Sequence, residues 1–514
     1  MNAGPKSPLP RHVDTLIVGA GSAGAVIASR LTEKSAREVL LVDAGPDYPD
    51  DRSLPADLRD GRRNSMRAHD WSLRHRPTPA QFHFPFPRGR VVGGSSAVNT
   101  TIALRGQPED YDEWGLADWS WANCLPAFRR LERDLDFGDS GLHGASGPIP
   151  IRRHPASEWT DFQRTFVEAC GELGFPACAD HNAPGASGVG AHAMNRIAGE
   201  RMSAARGYLA PSVRARPQLR IEGDVTVRRL LLRNHRAIGA EVERAGELAV
   251  IESRQIFVCC GAIHTPPLLM RSGIGPREKV EKLGVESISD VPAVAARLLD
   301  HPGSAIFLRP KRWLANREDP LIQTALRWTS PGSAFPSDMM MQAGSCVPIG
   351  GVVLPLVSLM AQVGKPRGAG ALEVVSADPR APPIIHSRLL VDAIDRASMA
   401  AAMELARAVT QTRAMRALAV PLFPLARQLK TRARIERWLP RFTDSGYHPC
   451  GTVPMGREGA PGAALDPRGR VRGVEGLFVA DASILPTIPT ANTNLTILMI
   501  GERFGAWARD GELD

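Results

Sequence analysis

Apolar residues along this chain gather into short unbroken runs set off by glycine turns. Thr15-Leu16-Ile17-Val18 is such a run, typical of a parallel strand covered on both faces. Gly19-Ala20-Gly21-Ser22-Ala23-Gly24 follows at once, and Ala25 to Leu31 favours helix. A second run, Val39-Leu40-Leu41-Val42, ends in Asp43. Strand, glycine turn, helix, strand and acid together predict a βαβ unit. Gln255 to Gly261 and Gly476 to Asp481 predict two more buried strands, one in mid-chain and one near the C-terminus. The stretches 145–189 and 301–444 differ in texture, being richer in proline and irregular breaks. The pattern predicts an α/β chain, α+β overall. A discontinuous first domain (11–144, 190–300 and 445–514) receives a second, inserted one (145–189 and 301–444).

From Met339 to Gly364 no residue is charged. A membrane-spanning helix needs ~20 predominantly apolar residues free to form a helix. Here Gln342, Pro348, Gly350, Gly351, Pro355 and Gln362 interrupt the run, so short buried strands are predicted at Val352-Val353-Leu354 and Leu356-Val357. Met339-Met340-Met341 reads as core, with an adaptable apolar pocket wall as the functional alternative. Leu425 to Arg441 predicts an amphipathic helix: Leu429, Ile435 and Leu439 face in, and Arg427, Lys430, Arg432, Arg434, Arg437 and Arg441 face out. Its plain reading is a solvated basic face; the functional one is contact with a membrane surface or an acidic electron acceptor.

A chain of 514 residues is long for one core, which fits two domains. The formal charge of +9 raises the question of nucleic acid. Aromatics make up only 5% and no basic tract carries interleaved aromatics, so nucleic-acid binding is set aside. Seven scattered cysteines, with only Cys259 and Cys260 adjacent, argue against a disulfide framework and for a reducing compartment. No CxxC and no His/Cys cluster at ligand spacing predicts a metal. Met1 to His12 holds no apolar h-region. The expectation is a cytoplasmic protein without a transmembrane segment, and peripheral membrane contact is not expected.

The glycine turn carries the first chemistry. In GxGxxG the first glycine allows the tight turn and the second lets a pyrophosphate approach the backbone. The third lets helix pack on strand. The N–H groups and dipole of the helix N-terminus favour phosphate charge. Asp43 stands 24 residues after Gly19 and suits the ribose hydroxyls. The motif does not choose between FAD and NAD.

Three further blocks do. Pro87-Arg88-Gly89-Arg90-Val91-Val92-Gly93-Gly94-Ser95-Ser96-Ala97-Val98-Asn99 resembles the first signature of the glucose-methanol-choline (GMC) oxidoreductases. Gly261-Ala262-Ile263-His264-Thr265-Pro266, ending in Ser272-Gly273-Ile274-Gly275-Pro276, resembles their second. Tyr447-His448-Pro449-Cys450-Gly451-Thr452, then Asp481-Ala482-Ser483 and Asn492-Thr493-Asn494, resembles their closing motif. Asp110 to Trp114, Gly147 to Ile151 and Ser203 to Leu209 are most similar to bacterial members of the hydroxymethylfurfural-oxidase and choline-dehydrogenase-like type.

The resemblance implies FAD, a Rossmann-like FAD-binding domain, and a substrate domain built on an antiparallel sheet with helices. The flavin is expected over the Gly93-Gly94-Ser95 loop, with Asn99 near its N5 edge. Some relatives attach FAD through a histidine in this block; Val98 stands there, so non-covalent FAD is expected. Motif and resemblance together imply cofactor contacts from Gly19, Gly21, Ser22, Ala23, Gly24, Asp43, Ala44, Trp71, Arg88, Val92, Gly93, Gly94, Asn99, Thr100, Val225, Gly261, Tyr447, Asp481, Ala482 and Thr493.

His448 is the implied base, since proton removal from an alcohol near neutral pH suits histidine. Asn492 is the implied partner, able to steady a developing alkoxide; Asn494 lies two residues on. His301 reads as a structural histidine crossing between domains. Cys450 reads as a buried small residue, with a reactive thiol as the alternative. The implied reaction oxidises a primary alcohol to the aldehyde: His448 takes the hydroxyl proton and the α-carbon hydride goes to flavin N5. The subgroup favours an aromatic or heteroaromatic alcohol, and no carboxylate is evident for a cation such as choline. Electrons pass to O₂ or to a quinone or protein acceptor, a choice left open. A non-redox member of the fold, such as a hydroxynitrile lyase, is the alternative class.

Overall fold

A computed structural model of the protein describes residues 7–34, 36–65, 67–312, 318–349 and 352–514. Residues 1–6 of the N-terminal stretch, and Gly350 and Gly351 of the uncharged run, lie outside the described residues.

The apolar runs read from the sequence become adjacent strands. Leu219–Glu222, Val39–Val42, His12–Val18, Glu247–Val258 and Leu477–Val479 lie side by side in that order, all parallel. The helix Ser22–Leu31 links the first two runs, and nearly all of it is buried. The strand Glu247–Val258 is long enough to serve twice. Its second half sits in the parallel sheet, and its first half pairs antiparallel with Arg236–Arg244, which pairs in turn with Thr226–Arg233. The C-terminal helix Thr493–Arg509 lies against Ser22–Leu31. Glycine makes that approach possible: a Cβ on Gly501 would stand 2.7 Å from Val26 Cβ, and one on Gly505 2.6 Å from Arg30 Cβ.

The second sheet is antiparallel, in the order Ala419–Phe423, Pro302–Pro310, Val357–Val363, Met339–Gly344, Thr324–Trp328 and Gly188–Ala191. Asp444–Ser445 pairs with Pro302-Gly303. Strand alternation gives this sheet two unlike faces. Met339, Met341, Ala343, Leu359 and Ala361 pack with Phe162 and Phe166 of the helix Asp161–Glu172 and with Met399 and Met403 of Ala393–Gln411. The opposite face carries Met340, Gln342, Met360 and Gln362. A small cluster including Ile102, Met194, Ile322, Met340 and Ala491 joins that face to the first sheet's side. A separate sheet pairs Ile384–His386 with Arg74–Arg76, tying distant parts of the chain together.

The uncharged run is strand, at Met339–Gly344, Val347–Ile349, Val352–Leu354 and Val357–Val363. Among the described residues no helix is long and apolar enough to cross a membrane. The basic helix is shorter than the pattern predicts, running from Arg432 to Phe442 and not from Leu425. Before it the chain makes a tight turn, in which Gln428 Oε1 accepts the Leu425 N–H at 2.7 Å and Leu425 O accepts the Gln428 N–H. Ile435 and Leu439 are buried, as predicted, with Trp438 between them; Arg434, Arg437 and Arg441 face out.

Candidate active site

Between the two sheets runs one cavity of about 400 Å³. Its nucleotide end is built from the glycine turn. No side chain caps Ser22–Leu31, so the first-turn N–H groups remain available to phosphate oxygens. Gly93 N–H donates to Ala20 O at 2.7 Å, and a Cβ on Gly94 would stand 2.8 Å from Gly21 Cα. The two glycine loops therefore meet backbone to backbone. Asp43 accepts the Ala20 N–H at 2.9 Å and the Gly45 N–H at 2.8 Å, one on each oxygen, and each oxygen keeps a lone pair for a ribose hydroxyl. Burial pushes its carboxyl up to about 7. Ser22 Oγ donates to Asn494 Oδ1 at 2.8 Å, which ties this end to the C-terminal helix. An uncapped helix terminus, side-chain-free loops and an acid at the strand end fit a dinucleotide.

All the expected cofactor residues line the cavity except Gly24, Val92 and Gly93. These three act from behind it. A Cβ on Gly24 would meet Gly19 O at 2.0 Å, so this glycine serves the helix–strand packing. Gly93 takes a left-handed turn with φ +104°, and Val92 is buried in the core. Asn99 Oδ1 accepts the Thr101 N–H at 2.9 Å, which leaves the Nδ2 amide as the group to offer a ligand. Asp481 receives the Gly261 N–H and the Thr265 hydroxyl on one oxygen and the Ser483 N–H on the other. It thus clamps the start of the helix Gly261–Arg271.

The far end holds His448, 9% exposed. A strap fixes it: Gly446 N–H donates to His301 O at 2.7 Å, Tyr447 takes the left-handed region at φ +65°, and His448 N–H donates to Asp300 Oδ1 at 2.9 Å. The His448 ring lies between two partners. Its Nε2 is 2.9 Å from Asn492 Nδ2, and its Nδ1 is 3.0 Å from His301 Nδ1. His301 Nε2 in turn faces Pro489 O at 2.9 Å.

These contacts assign the protons. A carbonyl only accepts, so His301 Nε2 carries hydrogen. Burial pushes the His301 imidazole down to about 4, so it is neutral and its Nδ1 is bare. His448 must then donate from Nδ1, which leaves the Nε2 lone pair beside Asn492 and the cavity. Burial, then His301, then the Arg88 guanidinium hold His448 well below the ordinary histidine range, in its proton-accepting form. Asn492 occupies the N-cap of Thr493–Arg509 yet makes no capping bond; its amide is turned to His448 instead. Its Oδ1 is buried without a partner.

Met339, Met340 and Met341 do not line the cavity; Met360, on the neighbouring strand, does. Cys450 is fully buried and its thiol is pushed up by burial, which suits a small packing residue. Sequence reasoning missed Asn64, Ser65, His264, Gln342 and Gln362 on the cavity wall. The His264 ring lies tilted against Trp71, ring centres 4.2 Å apart. It also missed a buried cluster of Glu132, Asp134 and His143, whose ligand-type atoms lie within 4.8 Å of one another. Both His143 nitrogens already face carboxylates, and Arg105 and Arg153 pair with Glu132 and Asp134. The cluster is an ion network.

Residues 13–303 and 366–501 match two family models, both described as GMC oxidoreductase. The chain is 34% identical to 5-(hydroxymethyl)furfural oxidase of Methylovorus sp. (strain MP688), covering 95% of this chain and 97% of that one. It is 31% identical to an oxygen-dependent choline dehydrogenase of Rhizobium etli, over 96% and 94%. The crystal structure of pyridoxine 4-oxidase from Mesorbium loti aligns with a TM-score of 0.89 at 28% identity, over 96% and 98%.

Proposed function

The chain belongs to the GMC oxidoreductase family, an FAD-dependent enzyme family, and from that premise we propose that it oxidises a primary alcohol to its aldehyde, with His448 as base and Asn492 as the partner of the alcohol oxygen. The observation that carries this reading is the run of contacts along Pro489, His301 and His448, which leaves His448 Nε2 as an acceptor at the cavity, held by the Asn492 amide until an alcohol hydroxyl takes that place.

His448 Nε2 takes the hydroxyl proton and becomes imidazolium, its Nδ1–H still held by His301 Nδ1. Asn492 Nδ2 donates to the alcohol oxygen as negative charge grows there. FAD, when bound, supplies the acceptor for the α-carbon hydride. The Gly21 and Gly94 loops would hold its pyrophosphate and Asp43 its ribose. Val98 offers no atom for a covalent link, so the cofactor is non-covalent and acid precipitation of the holoenzyme should release it. O₂ is the proposed acceptor of the electrons, supported by relatives named as oxidases. The cysteines, all free, fit a reducing cytoplasm. The antiparallel sheet, with its helices, is the proposed substrate domain.

The test is anaerobic mixing of the holoenzyme with a panel of primary alcohols, following flavin absorbance, then admitting air. Bleaching by an alcohol and return of colour with peroxide are expected. Bleaching with slow return would replace O₂ by a quinone or protein acceptor. No bleaching by any alcohol would overturn the reading and favour a non-redox reaction such as that of a hydroxynitrile lyase.

A further inference from the structure

The second sheet turns an unusual face to the cavity. In its register Gln342 stands opposite Met360, and Met340 opposite Gln362. Directly opposed residues share a face, so two amides occupy one diagonal of this patch and two thioethers the other. Gln342 and Gln362 are 3% and 2% exposed, and both line the cavity. The reverse face of the same strands is wholly apolar core, so nothing in the packing calls for amides here.

Their hydrogen bonding is also unfinished. Gln362 Oε1 is buried without a partner. The bond recorded for the Gln342 side chain runs from Nε2 to the Met340 thioether, a weak acceptor, at 3.4 Å. A buried amide left in this state is costly, and a ligand that completes its bonds removes the cost. The two groups differ in distance from the base. A Cβ on Gly446 would stand 2.4 Å from Gln362 Nε2 and 3.1 Å from His448 Nδ1, so Gln362 is beside the base. Gln342 lies one diagonal further, about 7–8 Å between backbones, roughly the length of a ring with a substituent. The remaining wall here, Ile102, Leu321, Ile322 and Met360, is apolar and carries no charge.

We infer that Gln342 reads the end of the substrate remote from the carbinol, with Gln362 the member of the pair nearer the base, and that the substrate is a neutral alcohol with an apolar, ring-sized body and a second hydrogen-bonding group. Glutamine both donates and accepts, so a hydroxyl, a carbonyl or a ring heteroatom satisfies it. Among the described residues of this wall a quaternary ammonium finds no carboxylate. The inference rests on the alcohol-oxidation reading above.

The experiment compares 4-hydroxybenzyl alcohol, 4-methylbenzyl alcohol and choline by anaerobic flavin reduction. The proteins are the wild-type holoenzyme, Gln342→Met and Gln362→Met, methionine keeping volume and flexibility without the amide. Wild type should favour the hydroxy over the methyl compound at least tenfold in the apparent second-order rate constant, and choline should be the poorest. That preference should shrink at least tenfold in Gln342→Met, and by less in Gln362→Met, whose amide lies nearer the base. The substituent's electronic effect cancels between proteins. No wild-type preference for the hydroxy compound, a preference for choline, or an unchanged ratio in Gln342→Met that retains FAD would each overturn the inference while leaving alcohol oxidation standing. No reduction by any alcohol would overturn both.

Discussion

The Nδ1 atoms of His301 and His448 stand 3.0 Å apart, and this contact decides which nitrogen of His448 is free to take a proton. His301 is itself held by Pro489 O through Nε2. In the proposed reaction it is a positioning residue: it touches His448 and not the reacting atoms.

His301→Leu should therefore slow flavin reduction at least about tenfold, but by less than loss of the base, whose worth is about 10²- to 10⁴-fold. It should also move the acid limb of the pH–rate profile, because the ring nitrogen that accepts the His448 Nδ1–H is gone. His301→Gln, able to accept at one end and donate at the other, should recover part of the loss. A packing role alone would leave the pH profile where it was.

His448→Ala should bind FAD and lose about 10²- to 10⁴-fold in the rate of reduction. In the wild type His448 is held well below 6.5. The base is thus unprotonated throughout the neutral range, and the reduction rate should be flat there, falling only well below pH 6.5. A midpoint at or above 6.5 in a stopped-flow pH profile would count against this assignment.

Acid should destabilise the fold. Burial holds His181, His264 and His301 at about 4, and His192 and His448 well below the ordinary value of 6.5. The unfolded chain then binds more protons below pH 6.5, so stability is full above that pH and falls as pH drops. Each such group contributes about 1.4 kcal/mol per pH unit. His143 has the opposite sign: its carboxylate partners outweigh burial and raise it to about 10, so its contribution is full below 6.5 and lost as pH rises toward 10. The melting temperature of the holoenzyme should peak near neutral pH, with the steeper fall on the acid side.

Gly94→Ala should impair FAD retention. The added methyl would stand 2.8 Å from Gly21 Cα, at a residue whose φ is +52°. The ratio of flavin to protein absorbance after purification should drop severalfold. Stoichiometric flavin in the variant would show that the two glycine loops need not meet.

The parts of the site that were legible in the sequence are those where backbone geometry demands particular residues. Glycines at 19, 21 and 94 and the acid at 43 follow from close approach and turn chemistry, and they converge as expected. His448 and Asn492 were found by motif, and Asn492 was distinguished from Asn494 only by where each side chain points. Gln342 and Gln362 had been read merely as breaks in an apolar run; their period-two placement was visible, but which face met the cavity depended on pairing between strands distant in sequence. His301 was assigned a structural part because nothing local in Leu299-Asp300-His301-Pro302 reveals a ring set T-shaped against that of residue 448. The early start given to the basic helix failed because Leu425 bonds Gln428, and Ala426 bonds Leu429, locally in a turn.

The helix Thr493–Arg509 begins beside Asn492 and Asn494 and is seated along its length, through Gly501 and Gly505, on the helix that opens the nucleotide cradle. One rod thus sets the offset between the proposed phosphate cradle and the amide proposed to meet the alcohol. A bulky side chain at Gly501, remote from any reacting atom, would tilt that rod and be felt as poor aim at the carbinol. Alignment of substrate with cofactor is in this sense a property of helix-to-helix spacing and not only of the residues that line the pocket.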